Sequence, residues 1–225
     1  MLNGTTLAVV ACSRSVWTIV VAGGSGARFG APKQFESLGT GRVLDHAVAT
    51  ARSVSDGVVV VVPLPDAHRE GGVAGGATRR QSVANGLAGV PNDATVICVH
   101  DAARPFASAA LYRAVIAAVE AGADAAVPGV AVTDTIKVVD DGVVQSTPRR
   151  ASLVAVQTPQ AFRADALRAA HARLPEADEG VEFTDDASMI EASGGRVVVV
   201  AGEDDNRKIT RPDDLLWARQ RLAEQ

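Results

Sequence analysis

Apolar, strand-like runs recur along this chain and are separated by segments with helical periodicity. Alternation of strand and helix is typical of an α/β protein whose mostly parallel sheet is covered by helices on both faces. The twist of the strands makes the crossovers between parallel strands right-handed. The sequence therefore predicts a Rossmann-like α/β fold with strands at residues 17–22, 57–62, 95–99, 125–130 and 196–200.

Helices are predicted between several of these strands, at residues 43–54, 79–90 and 108–122. Further along the chain, residues 160–174 have a helical pattern, and a short helix is predicted with Thr184 as its N-cap. A last helix begins at Pro212, a residue well suited to the first helical turn. We expect an N-terminal extension of uncertain order at residues 1–16 and one domain at residues 17–225.

Composition restricts the classes of protein that remain. Of 225 residues, 47% are hydrophobic and only 4% are aromatic, so the core is built from Val, Ala, Leu and Ile. A net charge of −4 provides no basic field for nucleic acid. Cys12 and Cys98 lie far apart, which argues against a zinc site or a redox pair. No apolar run reaches membrane-spanning length, and we expect a cytoplasmic protein with no membrane partner.

Residues 134–147 interrupt the alternation of strands and helices. Two short strand-like runs flank Asp140, Asp141 and Gly142, a sequence typical of a tight hairpin. Its apolar residues need a surface to pack against. We predict a projecting β-hairpin arm at about residues 132–152 that forms a homodimer, and the alternative is a hairpin folded back as an antiparallel edge of the sheet.

A glycine-rich loop, GGSGARFGAPK, follows the first predicted strand. Ligands of open α/β sheets bind at the carboxyl ends of strands, and glycines allow backbone N–H groups to approach an anion. Arg28 stands where a dinucleotide-binding turn needs its third glycine. Arg28 and Lys33 instead suit a reaction in which charge accumulates on phosphate oxygens. A surface turn with solvated basic residues is the alternative.

The loop is accompanied by further segments in a fixed order. Together they resemble the family of 2-C-methyl-D-erythritol 4-phosphate cytidylyltransferases, nucleotidyltransferases of the non-mevalonate isoprenoid pathway. Ribitol-5-phosphate cytidylyltransferases are similar in most of these segments. The resemblance covers nearly the whole chain after Val16, and it rests on AGGSGARFGAPKQ, GGATRRQSVANGL, VHDAARPF, TDTIK, QTPQAF, FTDDASMIE and DDNRKITRPDDL.

The resemblance implies a site for CTP over the glycine-rich loop. The residues expected to contact the nucleotide there are Ala22, Gly23, Gly24, Ser25 and Gly26, with Gly76 and Ser82 recognising the cytosine. Arg28, Lys33 and Lys208 are the expected catalytic residues. For Ser82 the alternative is a helix cap, and for Arg79 and Arg80 it is a solvated side chain.

A divalent metal, Mg²⁺, is expected on carboxylates near the triphosphate, with water and phosphate as its other ligands. Asp101 is the first candidate and Asp205 the second, with Asp204 as a competitor for the second place. His100 is interpreted as structural, because a phosphate nucleophile is already largely dianionic at neutral pH and needs no general base.

The phosphorylated polyol acceptor is expected to contact five residues that match the family's acceptor positions, Arg104, Thr135, Arg150, Thr158 and Thr184. Arginine forms a bidentate fork on phosphate, and Arg149 is an alternative to Arg150 in that role. Because Thr135 and Arg150 flank the hairpin, the arm would carry them to the partner subunit of a dimer.

These observations predict an enzyme that transfers CMP from CTP to 2-C-methyl-D-erythritol 4-phosphate and releases pyrophosphate. Its partners are small molecules and a second copy of the chain. The alternatives are a ribitol-5-phosphate cytidylyltransferase, a dinucleotide-binding oxidoreductase, which Arg28 argues against, and a non-catalytic nucleotide sensor.

Overall fold

A computed structural model describes residues 14–24, 29–173, 183 and 185–224. The α-helices are α1 (Val43–Val54), α2 (Arg79–Leu87), α3 (Ala109–Glu120), α4 (Ala164–Arg173), α5 (Asp186–Ala192) and α6 (Pro212–Ala223). The strands are β1 (Val16–Val21), β2 (Ser37–Leu38), β3 (Gly41–Arg42), β4 (Gly57–Val62), β5 (Val73–Ala74), β6 (Val96–Asp101), β7 (Ala125–Ala131), β8 (Val138–Asp140), β9 (Val143–Ser146), β10 (Val154–Val156), β11 (Gln160–Arg163) and β12 (Val197–Ala201). No described helix is long and apolar enough to cross a membrane.

The central sheet has the strand order β10-β7-β11-β6-β1-β4-β5, with β12 beside β7. Strand β1 is parallel to β4 and β6, and β4 is parallel to β5. Strands β10 and β11 run antiparallel to their neighbours. The predicted mostly parallel α/β sheet is therefore confirmed, and β1 lies in its middle.

Successive side chains of β1 point to opposite faces of the sheet, as strand geometry requires. Val16 and Val20 pack on one face with α1 and α3, in a cluster that includes Leu44 and Val115. Ile19 packs on the other face with residues of α2, α4 and α5. Helices thus cover both faces, as predicted, and the two clusters bury nearly all of the strand.

One predicted element was wrong, because residues 160–163 form strand β11 rather than the start of a helix. Gln160, Ala161 and Phe162 are almost completely buried, and the strand is inserted antiparallel between β6 and β7. A four-residue run is too short for periodicity to distinguish strand from helix. Helix α4 begins only at Ala164.

The predicted arm forms a two-stranded sheet of its own, made of β8 and β9. Every residue of these two strands is exposed. The alternative, in which the hairpin folds back as an edge of the central sheet, is wrong, because β10 occupies that edge. The arm and the following β10 expose apolar side chains at Ile136, Val138, Val139, Val143, Val144, Val154 and Val156.

Three helices begin where the sequence provides a capping side chain or a proline. Ser108 caps α3 by accepting a hydrogen bond from the Leu111 amide at 3.0 Å. Pro212 is the first residue of α6, as predicted. Asp185 caps α5 by accepting a hydrogen bond from the Ser188 amide at 3.0 Å, and the predicted cap, Thr184, lies outside the described residues.

Helix α2 packs against the sheet so closely that Gly86 is needed there. A Cβ atom at Gly86 would lie 2.6 Å from Cγ2 of Ile19 and 3.0 Å from Cγ2 of Val61. We expect Gly86→Ala to lower the free energy of unfolding by about 1–3 kcal/mol, the usual cost of overpacking a core. Urea denaturation measures this change.

The matched control is Ala84→Ser at an exposed position of the same helix. We expect it to change the free energy of unfolding by no more than about 0.5 kcal/mol. An unchanged free energy in Gly86→Ala would show that the close approach of α2 to β1 and β4 is wrong.

Candidate active site

Three neighbouring strands, β6, β1 and β4, end at the same edge of the sheet and open a cavity of about 480 Å³. The sheet order reverses its direction of growth at β1, which is the usual place for a ligand in this architecture. The cavity is lined by Val21, Ala22, Gly23, Gly24, Lys33, Gln34, Gly76, Ala77, Thr78, Arg79, Ser82, Asp101, Ala102, Ala103 and Lys208. All of the described residues that were predicted to contact the nucleotide therefore lie together.

The loop after β1 provides the first wall. The amide of Ala22 donates a hydrogen bond to the Val61 carbonyl at 2.7 Å, which fixes the loop's first residue against the end of β4. Gly23 and Gly24 follow and line the cavity. The other predicted residues of this loop, Ser25, Gly26 and Arg28, lie outside the described residues.

Lys33 enters the cavity from a short 3₁₀ helix, Lys33–Phe35, together with the buried Gln34. The last residue of this turn, Phe35, is held on the outside by two guanidinium groups. Those of Arg42 and Arg69 lie 5.5 Å and 4.9 Å from the centre of its ring, distances at which cations are attracted to aromatic faces. This packing anchors the turn that carries Lys33.

The segment before α2 provides the second wall. Thr78 is the N-cap of α2, so the alternative that Ser82 is only the cap is wrong. The Ser82 hydroxyl instead accepts a hydrogen bond from the Gly76 amide at 3.1 Å and donates one to the Thr78 carbonyl at 3.0 Å. A Cβ atom at Gly76 would lie 2.3 Å from Cβ of Gln81, so only glycine allows this close turn.

Asp101 ends β6 and is the acidic residue among the described residues that line the cavity. Its Oδ2 lies 2.6 Å from Nζ of Lys208, and its Oδ1 lies 3.4 Å from Nε of Arg79. Burial raises the pKa of this carboxyl group, but the charges of Arg79 and Lys208 outweigh burial and hold the pKa well below its ordinary value. Asp101 is therefore ionised at neutral pH.

Behind Asp101, a buried hydroxyl joins the backbone of β6 to a histidine. Oγ1 of Thr158 accepts a hydrogen bond from the Asp101 amide at 3.0 Å and lies 3.1 Å from Nδ1 of His100. Nε2 of His100 donates to the Arg104 carbonyl at 3.1 Å, so Nδ1 is the acceptor and the Thr158 hydroxyl donates to it. Burial lowers the pKa of His100 to about 4, and the neutral ring is structural, as interpreted from the sequence.

Arg104 connects the β6 loop to the segment that carries Lys208. Its Nη1 donates to the carbonyl of the buried Asn206 at 2.7 Å. The Ile209 amide donates to the Ala103 carbonyl at 2.8 Å, which adds a second bond between the same two segments. Neither Arg104 nor Thr158 lines the cavity, and the contacts they make here hold its walls.

Several other predicted residues do not lie in the cavity. The carboxylate of Asp205 is bound by Arg221 at 2.7 Å on the surface, so the two predicted metal ligands are not brought together. Thr135 is exposed, and Arg150 donates a hydrogen bond from Nη1 to the Thr133 carbonyl at 2.7 Å. Thr184 lies outside the described residues.

Arg79 lines the cavity, whereas a solvated side chain was one expectation for it from the sequence. It is the first residue of α2, and it lies between two carboxylates, with Nη1 2.6 Å from Oδ2 of Asp186. Two consecutive arginines, Arg79 and Arg80, give no sign of which one faces the cavity. Position at the start of the helix was the only available signal.

The cavity offers few side-chain donors for Mg²⁺ among the described residues. Among the described residues, no group of three or more His, Cys, Asp or Glu side chains is placed to hold a metal ion. Of the described residues that line the cavity, Asp101 alone provides an ionised oxygen donor. A single carboxylate fits Mg²⁺ when phosphate and water complete its coordination, so the cavity suits a metal that arrives with a nucleotide.

The class that the fold and the cavity define is an open α/β protein with a ligand cavity at its switch point, lined by glycine backbone and cationic side chains. The family model described as IspD, 2-C-methyl-D-erythritol 4-phosphate cytidylyltransferase, matches residues 16–224. The chain belongs to this family.

Individual relatives agree with this assignment. The chain is 42% identical over 225 residues to the 2-C-methyl-D-erythritol 4-phosphate cytidylyltransferase of Syntrophotalea carbinolica, covering 91% of this chain and 95% of the relative. It is also 48% identical over 174 residues to the bifunctional enzyme IspD/IspF of Oleidesulfovibrio alaskensis, covering 77% of this chain and 42% of that protein. The chain spans about half the length of several such bifunctional relatives.

Solved structures share the fold. The 4-diphosphocytidyl-2C-methyl-D-erythritol synthase of Anaerococcus prevotii is 29% identical, with a TM-score of 0.82 and coverage of 93% of this chain and 99% of that one. The 2-C-methyl-D-erythritol 4-phosphate cytidylyltransferase of Thermus thermophilus is 33% identical, with a TM-score of 0.77 and coverage of 92% and 98%. These proteins therefore share the fold of this chain over nearly their whole length.

The Thr158 hydroxyl satisfies two buried groups, which makes a test of this site possible. Thr158→Val keeps the shape of the side chain but leaves the Asp101 amide and Nδ1 of His100 without a partner. We expect a loss of about 2 kcal/mol or more in the free energy of unfolding, since each unpaired buried group costs about 1–3 kcal/mol. Thr158→Ser keeps the hydroxyl and should recover at least half of that loss in the same urea denaturation; equal losses in both variants would contradict the described network.

Proposed function

We propose that this chain transfers CMP from CTP to 2-C-methyl-D-erythritol 4-phosphate, forming 4-diphosphocytidyl-2-C-methyl-D-erythritol and pyrophosphate. The observation that carries the proposal is the cavity at the carboxyl ends of β1, β4 and β6. It combines glycine backbone with three cationic side chains, Lys33, Arg79 and Lys208, in a chain that belongs to the family.

In the proposed reaction, an oxygen of the acceptor's phosphate attacks the α-phosphorus of CTP in line. A new P–O bond forms to that oxygen, and the bond from the α-phosphorus to the bridging oxygen breaks. Pyrophosphate leaves with the electron pair of that bond. No proton needs to be removed from the nucleophile, which agrees with a buried and neutral His100 beside the site.

Lys33 and Lys208 meet the negative charge that develops on the reacting and leaving phosphates. The predicted role of Arg28 is the same. Lys208 is already oriented by its ion pair with Asp101 at 2.6 Å, so its ammonium group needs little reorganisation when the nucleotide arrives. Fixed cations of this kind lower a barrier more than mobile ones, because their orientation has been achieved during folding.

Cytosine is recognised by the wall that contains Gly76 and Ser82. The hydrogen bond between their amide and hydroxyl groups holds the backbone of this turn in one conformation. A base with mismatched donors would leave backbone groups unpaired there, which is the physical origin of selectivity in a small polar pocket.

Mg²⁺ would be held by Asp101, with the triphosphate and water as its other ligands. When bound, it neutralises negative charge on the phosphate oxygens. Arg79 and Lys208 keep the Asp101 carboxylate ionised and fixed in the cavity, ready to bind the metal.

In this proposal, a second subunit completes the binding site for the acceptor. The hairpin arm exposes valines on a two-stranded sheet and carries Thr135 and Arg150 at its base, outside the cavity of its own chain. Docking of the arm on a partner buries the valines and delivers both polar side chains to the partner's cavity. The same proposal includes a cytoplasmic location for the enzyme.

Pyrophosphate release tests the reaction directly. With CTP, Mg²⁺ and 2-C-methyl-D-erythritol 4-phosphate, the protein should release pyrophosphate, and Lys33→Ala should lower kcat by about a hundredfold or more because a cation at the reacting phosphates is lost. UTP, ATP, GTP and ribitol 5-phosphate serve as competing substrates. Faster turnover with ribitol 5-phosphate would refute 2-C-methyl-D-erythritol 4-phosphate as the acceptor. If no combination of nucleotide and polyol phosphate releases pyrophosphate, the proposed activity is refuted.

The matched control for Lys33→Ala is Arg113→Ala, which removes an exposed cation on α3 outside the cavity. It should retain the kcat of the unchanged protein within about twofold. Both variants should unfold at the temperature of the unchanged protein, so that a loss of kcat in Lys33→Ala reports on chemistry. Nearly normal turnover in a folded Lys33→Ala variant would exclude the proposed role.

Dimer formation is tested on the cross-strand pair Val139 and Val144 of the arm. Val139→Asp combined with Val144→Asp introduces charge into the proposed interface, and sedimentation velocity should show a monomer. Turnover should fall with it, because Thr135 and Arg150 no longer reach the partner. Asp141→Asn at the turn is the control and should remain dimeric; a dimer in the double variant would contradict this use of the arm.

A further inference from the structure

The half-buried Arg79 belongs to a line of charged side chains that continues beyond the cavity. Lys208, Asp101, Arg79 and Asp186 follow one another with alternating charge, at separations of 2.6 Å, 3.4 Å and 2.6 Å. The first three line the cavity, whereas Asp186 lies behind it, at the start of α5. A residue outside the cavity therefore makes direct contact with a cation inside it.

Asp186 is almost completely buried, with only 1% of its side chain exposed. Burial of a charged carboxylate is costly unless both oxygens are paired. Oδ2 accepts a hydrogen bond from Nη1 of Arg79, and Oδ1 accepts one from Nε2 of His171 at 3.2 Å. Burial raises the pKa of Asp186, but the His171 hydrogen bond and the Arg79 charge outweigh it and lower the pKa, so the carboxylate is ionised.

The backbone that carries Asp186 is fixed as well. The preceding residue, Asp185, caps α5 and accepts a hydrogen bond from Nε2 of Gln160 at 2.7 Å. Gln160 belongs to β11, in the interior of the central sheet. The position of the Asp186 carboxylate is thus set by the sheet rather than by a loop.

We propose that Asp186 is a positioning residue for nucleotide binding, which acts by fixing the guanidinium group of Arg79 in the cavity. An arginine side chain has several rotatable bonds, and a single contact of 3.4 Å to Asp101 would leave Arg79 loosely held. The contact with Asp186 fixes the guanidinium at its far end. Arg79 then presents its remaining N–H groups to a phosphate or base and holds Asp101 in place from one side.

This inference rests on the proposed function, since it assigns Asp186 a part in binding CTP. It predicts that loss of the negative charge at Asp186 weakens CTP binding through Arg79 and not through loss of the fold. Asp186→Asn replaces the ion pair with a single hydrogen bond from the charged guanidinium to a neutral amide oxygen, so Arg79 should be held less firmly even though the amide still accepts.

Isothermal titration of CTP into the protein, with Mg²⁺ and without acceptor, tests the proposal. Asp186→Asn should raise the Kd for CTP by about tenfold or more, and Asp186→Glu should remain within about threefold of the unchanged protein. In an Arg79→Gln background, Asp186→Asn should change the Kd by less than about twofold, because the two residues act as one unit. Asp124→Asn, which breaks an ion pair with Arg163 outside the cavity, is the control and should bind CTP normally.

Two results with the Asp186→Asn variant would overturn the proposal. One is an unchanged Kd in a folded Asp186→Asn variant, and the other is an equal loss in the Arg79→Gln background, which would indicate a structural role only. If Asp186→Asn does not fold, the same titration is made with Arg79→Lys. Lysine keeps the positive charge but cannot span the carboxylates of Asp101 and Asp186. Normal CTP binding by Arg79→Lys would refute the proposal. Failure of the unchanged protein to bind CTP would refute the proposed function and this inference together, whereas normal binding with no effect of the variants would refute this inference alone.

Discussion

The ionised carboxylate of Asp101 is the feature on which the rest of the cavity depends. Nearly buried at the end of β6, it retains its charge because Lys208 and Arg79 compensate it from two sides. The same contacts orient those two cations, which come from distant parts of the chain. Since each member of the group satisfies the others, the cavity is charged and ordered before any ligand enters, which is the preorganisation that electrostatic catalysis requires.

The fold explains how residues from such separate segments meet. Strands β1, β4 and β6 are parallel neighbours, so the loops that follow them leave the same edge of the sheet. Arg104 then joins the β6 loop to the segment of Lys208 through the Asn206 carbonyl. The hydrogen bonds of Thr158 and His100 support the end of β6 from outside the cavity. The groups that hold the site in place are therefore different from those that line the cavity.

The sequence predicted those helices and strands whose own residues show a clear hydrophobic pattern. Helix α1 has the predicted bounds, because its apolar residues recur at helical spacing and bury one face. Strand β11 was missed because its four residues are defined by pairing with β6 and β7 and not by any pattern of their own. Gly23, Gly24 and Lys33 were expected at the site from their position after β1, and they line the cavity. Asp205 was expected there as a metal ligand, but its carboxylate pairs with Arg221 of α6 outside the cavity, and nothing in the local sequence indicates that contact.

The proposed dimer would divide the substrate contacts between two subunits. Under the proposed function, the cavity of one chain provides the nucleotide contacts, since glycine backbone, cations and Asp101 all line it. Thr135 and Arg150, which are proposed to contact the acceptor, are exposed and absent from that lining. Under the proposed dimer, nucleotide selectivity would reside in one subunit and part of acceptor selectivity in the other. A substitution in the arm would then alter acceptor recognition and subunit association together, while leaving the Asp101 group and its affinity for the nucleotide intact.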